Sequence, residues 1–195
     1  TWKLGPDPKH DTLRIKPLWE DVYSFLLANS SKPIEVPWLF QFLRSSPYGL
    51  KEGVLSIYLI VALIQWQAQV AIYEENTYIP KLTSAVCERL LKVPERFKIQ
   101  LFPESDSHAL LLHKYVGLFH PEIDKSSVSL LSAVQPLMFF VNKLPKYAFL
   151  TSQVSQNTKR MRDVIVTAKN PQSLLLKDLP DAFSFSFTNA DAQTS

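Results

Sequence analysis

The sequence predicts a mainly α-helical chain carrying one small β-hairpin. Three observations lead there. Apolar residues recur at helical spacing in one stretch after another. Prolines and Ser, Thr and Asn clusters punctuate these stretches where helices start and stop. The period then drops to that of a strand at 67–73, with a polar turn and a second short strand behind it. The 195 residues are 46% hydrophobic, which suffices for one large domain or two small ones and is too apolar for a chain disordered throughout.

Taken in order, residues 1–16 read as an extended arm, holding Pro6 and Pro8 and no helical period. Pro17 stands where a first-turn proline belongs. Leu18, Val22, Phe25 and Leu26 then share one helix face, and Glu20 and Asp21 suit the N-terminal dipole. Residues 32–36 are short and extended. Pro37 opens a second helix over 38–45, and 46–50 is a turn whose Pro47 and Gly49 redirect the chain. A long helix over 51–66 is hydrophobic nearly all round, which predicts a central, buried position. Val70, Ile72 and Tyr73 favour a strand, 74–77 a turn and 78–80 the return strand. Thr83 caps a helix running to Lys92, Pro94 ends it, and 98–102 alternates like a strand.

The second half is helical. One helix is expected over 108–119. Ser126 or Ser127 is expected to cap another over 128–144, kinked by Pro136. A third covers 151–169. Asn170 followed by Pro171 is an N-cap with a first-turn proline, opening a short helix over 172–179. The tail 184–195 is small and polar.

Helix, short strand, helix, helix and then a two-stranded ribbon is the layout of a winged helix-turn-helix. The expected domains are an arm (1–16), a winged-helix-like domain (17–102), a helical, bundle-like domain (103–183) and a flexible tail (184–195). In such a fold the third helix ordinarily reads DNA through Arg, Lys, Asn or Gln. Here 51–66 offers only Lys51, Glu52, Ser56 and Gln65 among aliphatic and aromatic residues. The wing would be 69–80, and its tip carries Glu74 and Glu75, which repel phosphate. Positive charge lies elsewhere. Between 139 and 177, Lys143, Lys146, Lys159, Arg160, Arg162, Lys169 and Lys177 face a single acid, Asp163, whereas the whole chain is only +3. These residues read either as a solvated helix face or as a phosphate-tracking patch, and pairing of Lys159 and Arg160 with Asp163 would blunt the second reading.

Catalytic patterns are missing. The four glycines form no GxxxxGK[ST], so no nucleotide site is recognisable. His108, His113 and His120 have spacings of five and seven, outside the i, i+3 or i, i+4 geometry of helical metal ligands. The only cysteine, Cys87, sits in an amphipathic helical pattern as a small apolar residue in a reducing compartment. No catalytic residue, cofactor or metal ligand is therefore assigned. The uncharged stretch 53–73 is interrupted by Gln65, Gln67 and Gln69, and its strictly apolar part, 57–64, is short of the ~20 residues a membrane span needs. A soluble, cytoplasmic chain without a membrane partner is expected. Its opening Thr1-Trp2-Lys3-Leu4-Gly5-Pro6 reads as a piece of a longer protein or as a processed chain.

Two groups of residues carry a resemblance. One is the stretch 47–55, opening Pro47-Tyr48-Gly49, followed by Val70-Ala71-Ile72-Tyr73-Glu74 and Tyr78-Ile79-Pro80-Lys81-Leu82-Thr83. The other is 144–151 with Asn170-Pro171-Gln172-Ser173-Leu174-Leu175 and Asp178-Leu179-Pro180-Asp181-Ala182. Together, over about 18–182, they resemble the region that follows the ATPase domain in large bacterial P-loop ATPases, including those similar to BREX-type phage-defence proteins. The resemblance implies a C-terminal, winged-helix-containing module of a cytoplasmic ATPase, coupling the motor to DNA or to a protein partner. The alternative expectation is an interaction or oligomerisation scaffold with no nucleic-acid role. A small independent enzyme is the third.

Overall fold

The computed structural model of the protein describes residues 11, 15–103, 112 and 129–183. The chain is mainly helical with a small antiparallel sheet of four strands. It divides into two compact units, Thr1–Ser105 and Asp106–Ser195.

In the first unit, α1 spans Ile15–Ala28. It begins two residues before Pro17, and the Asp11 carboxylate accepts hydrogen bonds from the Ile15 and Lys16 N–H groups at 2.8 and 2.7 Å. Glu20 and Asp21 therefore lie beyond the first turn rather than at the positive end of the dipole. The expected face is confirmed: Val22 and Leu26 are buried, and Leu18 and Phe25 pack partly buried against the core. After strand β1 (Ile34–Glu35), α2 runs Val36–Arg44 with Pro37 in its first turn and Val36, Leu39, Phe40 and Leu43 inward. Gly49 closes the following turn at φ +58°, a left-handed conformation that glycine adopts without strain. Helix α3 covers Glu52–Gln65.

Aromatic rings lock the three helices. Trp19 meets Tyr58 and Trp66 of the α3 region at 5.2 and 5.1 Å between centroids, and Phe25 stacks on Phe42 of α2 at 4.6 Å. Such pairs contribute about 1 kcal/mol each beyond the area they bury.

Strands β2 (Val70–Glu74) and β3 (Thr77–Ile79) form the expected hairpin. Its two-residue turn puts Glu75 and Asn76 at φ 49° and 66°, the primed geometry that matches strand twist, without an Asn-Gly pair. Helix α4 (Ser84–Lys92) is capped by Thr83, whose side chain accepts from the Val86 N–H, as expected. A 3-10 turn, Pro94–Arg96, leads to β4 (Phe97–Leu101).

The sheet order is β1-β4-β2-β3, so the last strand enters the middle. Val70 pairs with Leu101 and Glu74 with Phe97, while Ile34 of β1 pairs with Ile99. The hairpin alone is thus not the whole ribbon: β3 is its edge, and β4, arriving only after α4, joins β2 to β1. One buried polar link spans the sheet. The Tyr73 hydroxyl donates to Gln100 Oε1 at 3.0 Å, and Gln100 Nε2 donates to the Ser30 carbonyl at 2.9 Å.

In the second unit, α5 spans Leu130–Asn142, with Pro136 inside it. Its cap is Ser129, not Ser126 or Ser127, which lie outside the described residues. Ser129 Oγ accepts from the Ser132 N–H while Ser132 Oγ accepts from the Ser129 N–H. The expected helix over 151–169 is shorter. It is α7 (Gln156–Thr167), capped by Ser155, and before it stand a short helix that was not expected, α6 (Lys146–Leu150), and a non-helical link. Asn170 caps as expected, accepting from the N–H groups of Gln172 and Ser173. A continuous helical segment follows: α8 (Pro171–Ser173), a π turn (Leu174–Asp178) and α9 (Leu179–Phe183). Pro180 cannot donate to the turn before it, and its ring crowds that turn, so the widened π turn accommodates it. α5 packs on α7 and α8, and α9 on α7, around buried Leu131, Leu137, Ile165, Leu174, Leu175 and Leu179. The expected helix over 108–119, apart from Leu112, and the tail 184–195 lie outside the described residues.

Candidate functional site

Helix α3 departs from the buried strut its composition predicts. Leu55, Tyr58, Leu59, Ala62 and Leu63 are buried, but Val54, Ile57 and Ile64 are 51%, 70% and 38% exposed. The reason is position. α3 turns one face into the core of its unit, where Tyr58 meets Trp19 of α1, and among the described residues the other face is left uncovered. Val54, Ile57, Val61 and Ile64 follow a 3, 4, 3 spacing, which on a helix is one narrow seam of the kind that receives a partner helix. Beyond Glu52, which pairs with Arg44 at the helix start, α3 carries no charge. The hydroxyl of Tyr58 is buried without a hydrogen-bond partner among the described residues, and burial pushes its pKa up, so it stays protonated.

The basic residues singled out by charge do not form one stripe. Lys143 follows α5 as its C-cap and Lys146 begins α6, both exposed. Lys159, Arg160 and Arg162 all lie on α7, but positions two apart on a helix point ~200° away from each other. Arg160 accordingly faces an open groove of about 730 Å³ together with Lys169, Asp163, Asp178 and Asp181, where acids outnumber bases. Arg162 faces the other way. Its Nη1 donates to the Ala148 carbonyl at 3.0 Å and its Nε to Asp163 Oδ1 at 3.3 Å, tying α6 to α7. Asp163 is thus engaged by Arg162 rather than by Lys159 or Arg160. Among the described residues Lys143, Lys146, Lys159, Arg160 and Lys169 make no ion pair.

Glu74 and Glu75, expected as free repelling charges at the wing tip, are both paired. Glu74 accepts a fork of hydrogen bonds from Arg89 at 3.0 and 2.8 Å, which holds its carboxyl below the usual carboxylate range. Glu75 meets Arg96 at 2.6 Å. Cys87 is half-buried, and burial raises its thiol pKa, so it is not an activated nucleophile. His108, His113 and His120 lie outside the described residues. Among those described, no group of three His, Cys, Asp or Glu side chains is placed to hold a metal, and no helix is long and apolar enough to cross a membrane.

Sequence reasoning missed two features: the exposed seam of α3, and an apolar groove between α5, α6 and α7 floored by Leu137, Val141 and Ile165. The 3, 4, 3 spacing of branched residues in α3 was a usable signal for the first. No signal pointed to the second, because no element was assigned to 146–150 and the link before α7 was read as helix. No protein-family model, curated protein or solved structure matches the chain.

Proposed function

We propose that the chain is a non-catalytic protein-docking module built on a winged helix-turn-helix unit, whose third helix receives a helix of a larger assembly rather than DNA. One observation carries this: the outward seam of α3 is aliphatic and uncharged, with Ile57 the most exposed of its residues. Base edges are read by hydrogen-bonding side chains, which this seam lacks. The winged reading is supported by the order α1, β1, α2, α3 and by antiparallel pairing of β1, β4 and β2. In it, β2 and β4 are the wing strands, and β3 with α4 is an insertion between them.

Size argues for a tethered partner. A 14-residue helix is ~21 Å long, and four side chains along it cover far less than the ~800 Å² per partner of a free-standing interface. Tethering within one assembly supplies millimolar effective concentrations and removes that requirement. This agrees with a C-terminal module of a bacterial P-loop ATPase, the parent that the resemblance implies. In that reading the chain is cytoplasmic, and the purified chain alone turns over no ATP.

The test is site-specific photo-crosslinking in the native host, with the reactive residue at position 57 and, as a control, at exposed position 92. Adducts from 57 are expected on one protein segment with heptad apolar spacing, and none from 92. Nucleic-acid adducts from 57, or the same scatter from both positions, would refute the proposal.

A second reading, phosphate binding in the second unit, is favoured by the unpaired lysines named above. It predicts duplex-DNA affinity that falls steeply between two salt concentrations, with a shallower slope after Lys159→Ala and Arg160→Ala. Ile57→Ser leaves that slope alone. Salt-independent or undetectable binding removes this reading.

A further inference from the structure

The apolar groove of the second unit is a different feature from the α3 seam and needs no macromolecular partner. It encloses about 410 Å³, and its walls are almost wholly apolar. Leu137, Val141 and Ile165 form the floor, and Phe140, Tyr147 and Thr158 stand among the rim. Among the described residues one charged group lines it: Arg162, whose side chain is only 16% exposed. A guanidinium has five N–H donors, and Arg162 uses two of them, on Ala148 and Asp163, which leaves three without a partner among the described residues. Three lysines flank the lining in sequence. Lys143 precedes Leu144, Lys146 precedes Tyr147, and Lys159 follows Thr158. The nearest acid in sequence, Asp163, is 67% exposed and accepts from Arg162 only the Nε–H, at 3.3 Å.

We infer that this groove binds a single-chain amphiphile with an anionic head, its apolar chain on the Leu137, Val141 and Ile165 floor and its carboxylate on Arg162. Volume selects the ligand class. A methylene group needs about the ~30 Å³ of a water molecule, so the groove has room for at most about fourteen carbons, and a ten-carbon acid fits with space left for its head group. A helix, ~10 Å across and several turns long, does not fit. Charge selects the head group. An apolar wall beside a part-buried guanidinium with spare donors favours a planar carboxylate, which the fork can hold by two parallel bonds. The same arrangement explains why basic residues gather around 143–162 without forming a stripe that tracks a phosphate backbone.

The experiment is isothermal titration of the whole chain with decanoate below its micellar concentration. Saturable one-site binding is expected. Octanoate is expected to bind about tenfold more weakly, the loss for two buried methylenes, and decan-1-ol at least tenfold more weakly, for want of the charge-assisted bonds. Arg162→Gln abolishes the preference for acid over alcohol. Because that change also loosens the tie to Ala148, Thr158→Trp is the companion variant. It fills the groove from an exposed rim position and is expected to block both ligands. Ile57→Ser in the other unit leaves binding unchanged. Three results would overturn the inference: decan-1-ol binding as tightly as decanoate, Thr158→Trp binding normally, or no saturable decanoate binding. Sedimentation with phosphatidylglycerol vesicles in the absence of decanoate binding would equally overturn it, by assigning the basic rim to a lipid surface.

Discussion

Glu74 and Arg89 are fifteen positions apart in sequence and meet because the hairpin and α4 fold back on each other. Two hydrogen bonds from the guanidinium, with Arg96 adding to the positive field, lower the Glu74 pKa below its ordinary 4.5. A carboxyl whose folded pKa is depressed contributes stability that is present above the unfolded value. That contribution is lost as pH falls through the folded value. Urea midpoints of the intact chain are therefore expected to drop more steeply below pH 4.5 than those of Arg89→Gln. Parallel pH profiles would show that the fork contributes nothing. The effect is modest, since the Arg89 side chain is 45% exposed. At this scale the sequence was most legible where bonds are local. Thr83 and Asn170 were recognisable caps because the N–H groups they satisfy lie two or three residues on. Ser129 was missed for Ser126 or Ser127. With serines at 126, 127, 129 and 132, only the reciprocal bonds between Ser129 and Ser132 reveal the register.

Elements were legible as far as periodicity reports them. The α1, α2 and α4 faces alternate polar and apolar at helical spacing, and the structure buries the apolar side of each. α3 defeats that logic. A helix that is apolar all round has no preferred face, so its sequence predicts burial without saying which side. Mutation separates the two sides. Leu59→Ala is expected to cost about 2–5 kcal/mol through lost packing and a residual cavity. Ile57→Ser, two positions away, should stay within about 0.5 kcal/mol, as surface changes do. Both are read from urea unfolding, and equal costs would mean that Ile57 is covered in solution. The hairpin illustrates the converse. Its existence was readable from the strand-favouring Val70, Ile72 and Tyr73 and the polar turn behind them, yet its place at the sheet edge was not, since β4 is recruited to β2 by contacts between distant residues.

At the scale of the whole molecule, the first unit holds its own core, from Val22 and Leu26 through Leu59 to Ile99 and Leu101. A chain ending after Ser105 is accordingly expected to unfold cooperatively and to keep the amides of β2 and β4 protected from hydrogen exchange. A non-cooperative transition would mean that this unit depends on the rest of the chain. Sequence by itself determined that the protein is mainly helical with a small β element. It also located most helices, several of their caps and the turn at Glu75 and Asn76, all of which rest on interactions within a few residues. The tertiary structure alone decided that β4 enters the sheet between β1 and β2, that Ile57 faces outward, and that Arg160 and Arg162 serve opposite sides of α7. The physical reason is common to all three. Local bonds are written in adjacent residues, whereas burial and pairing depend on which distant surface arrives to cover a face.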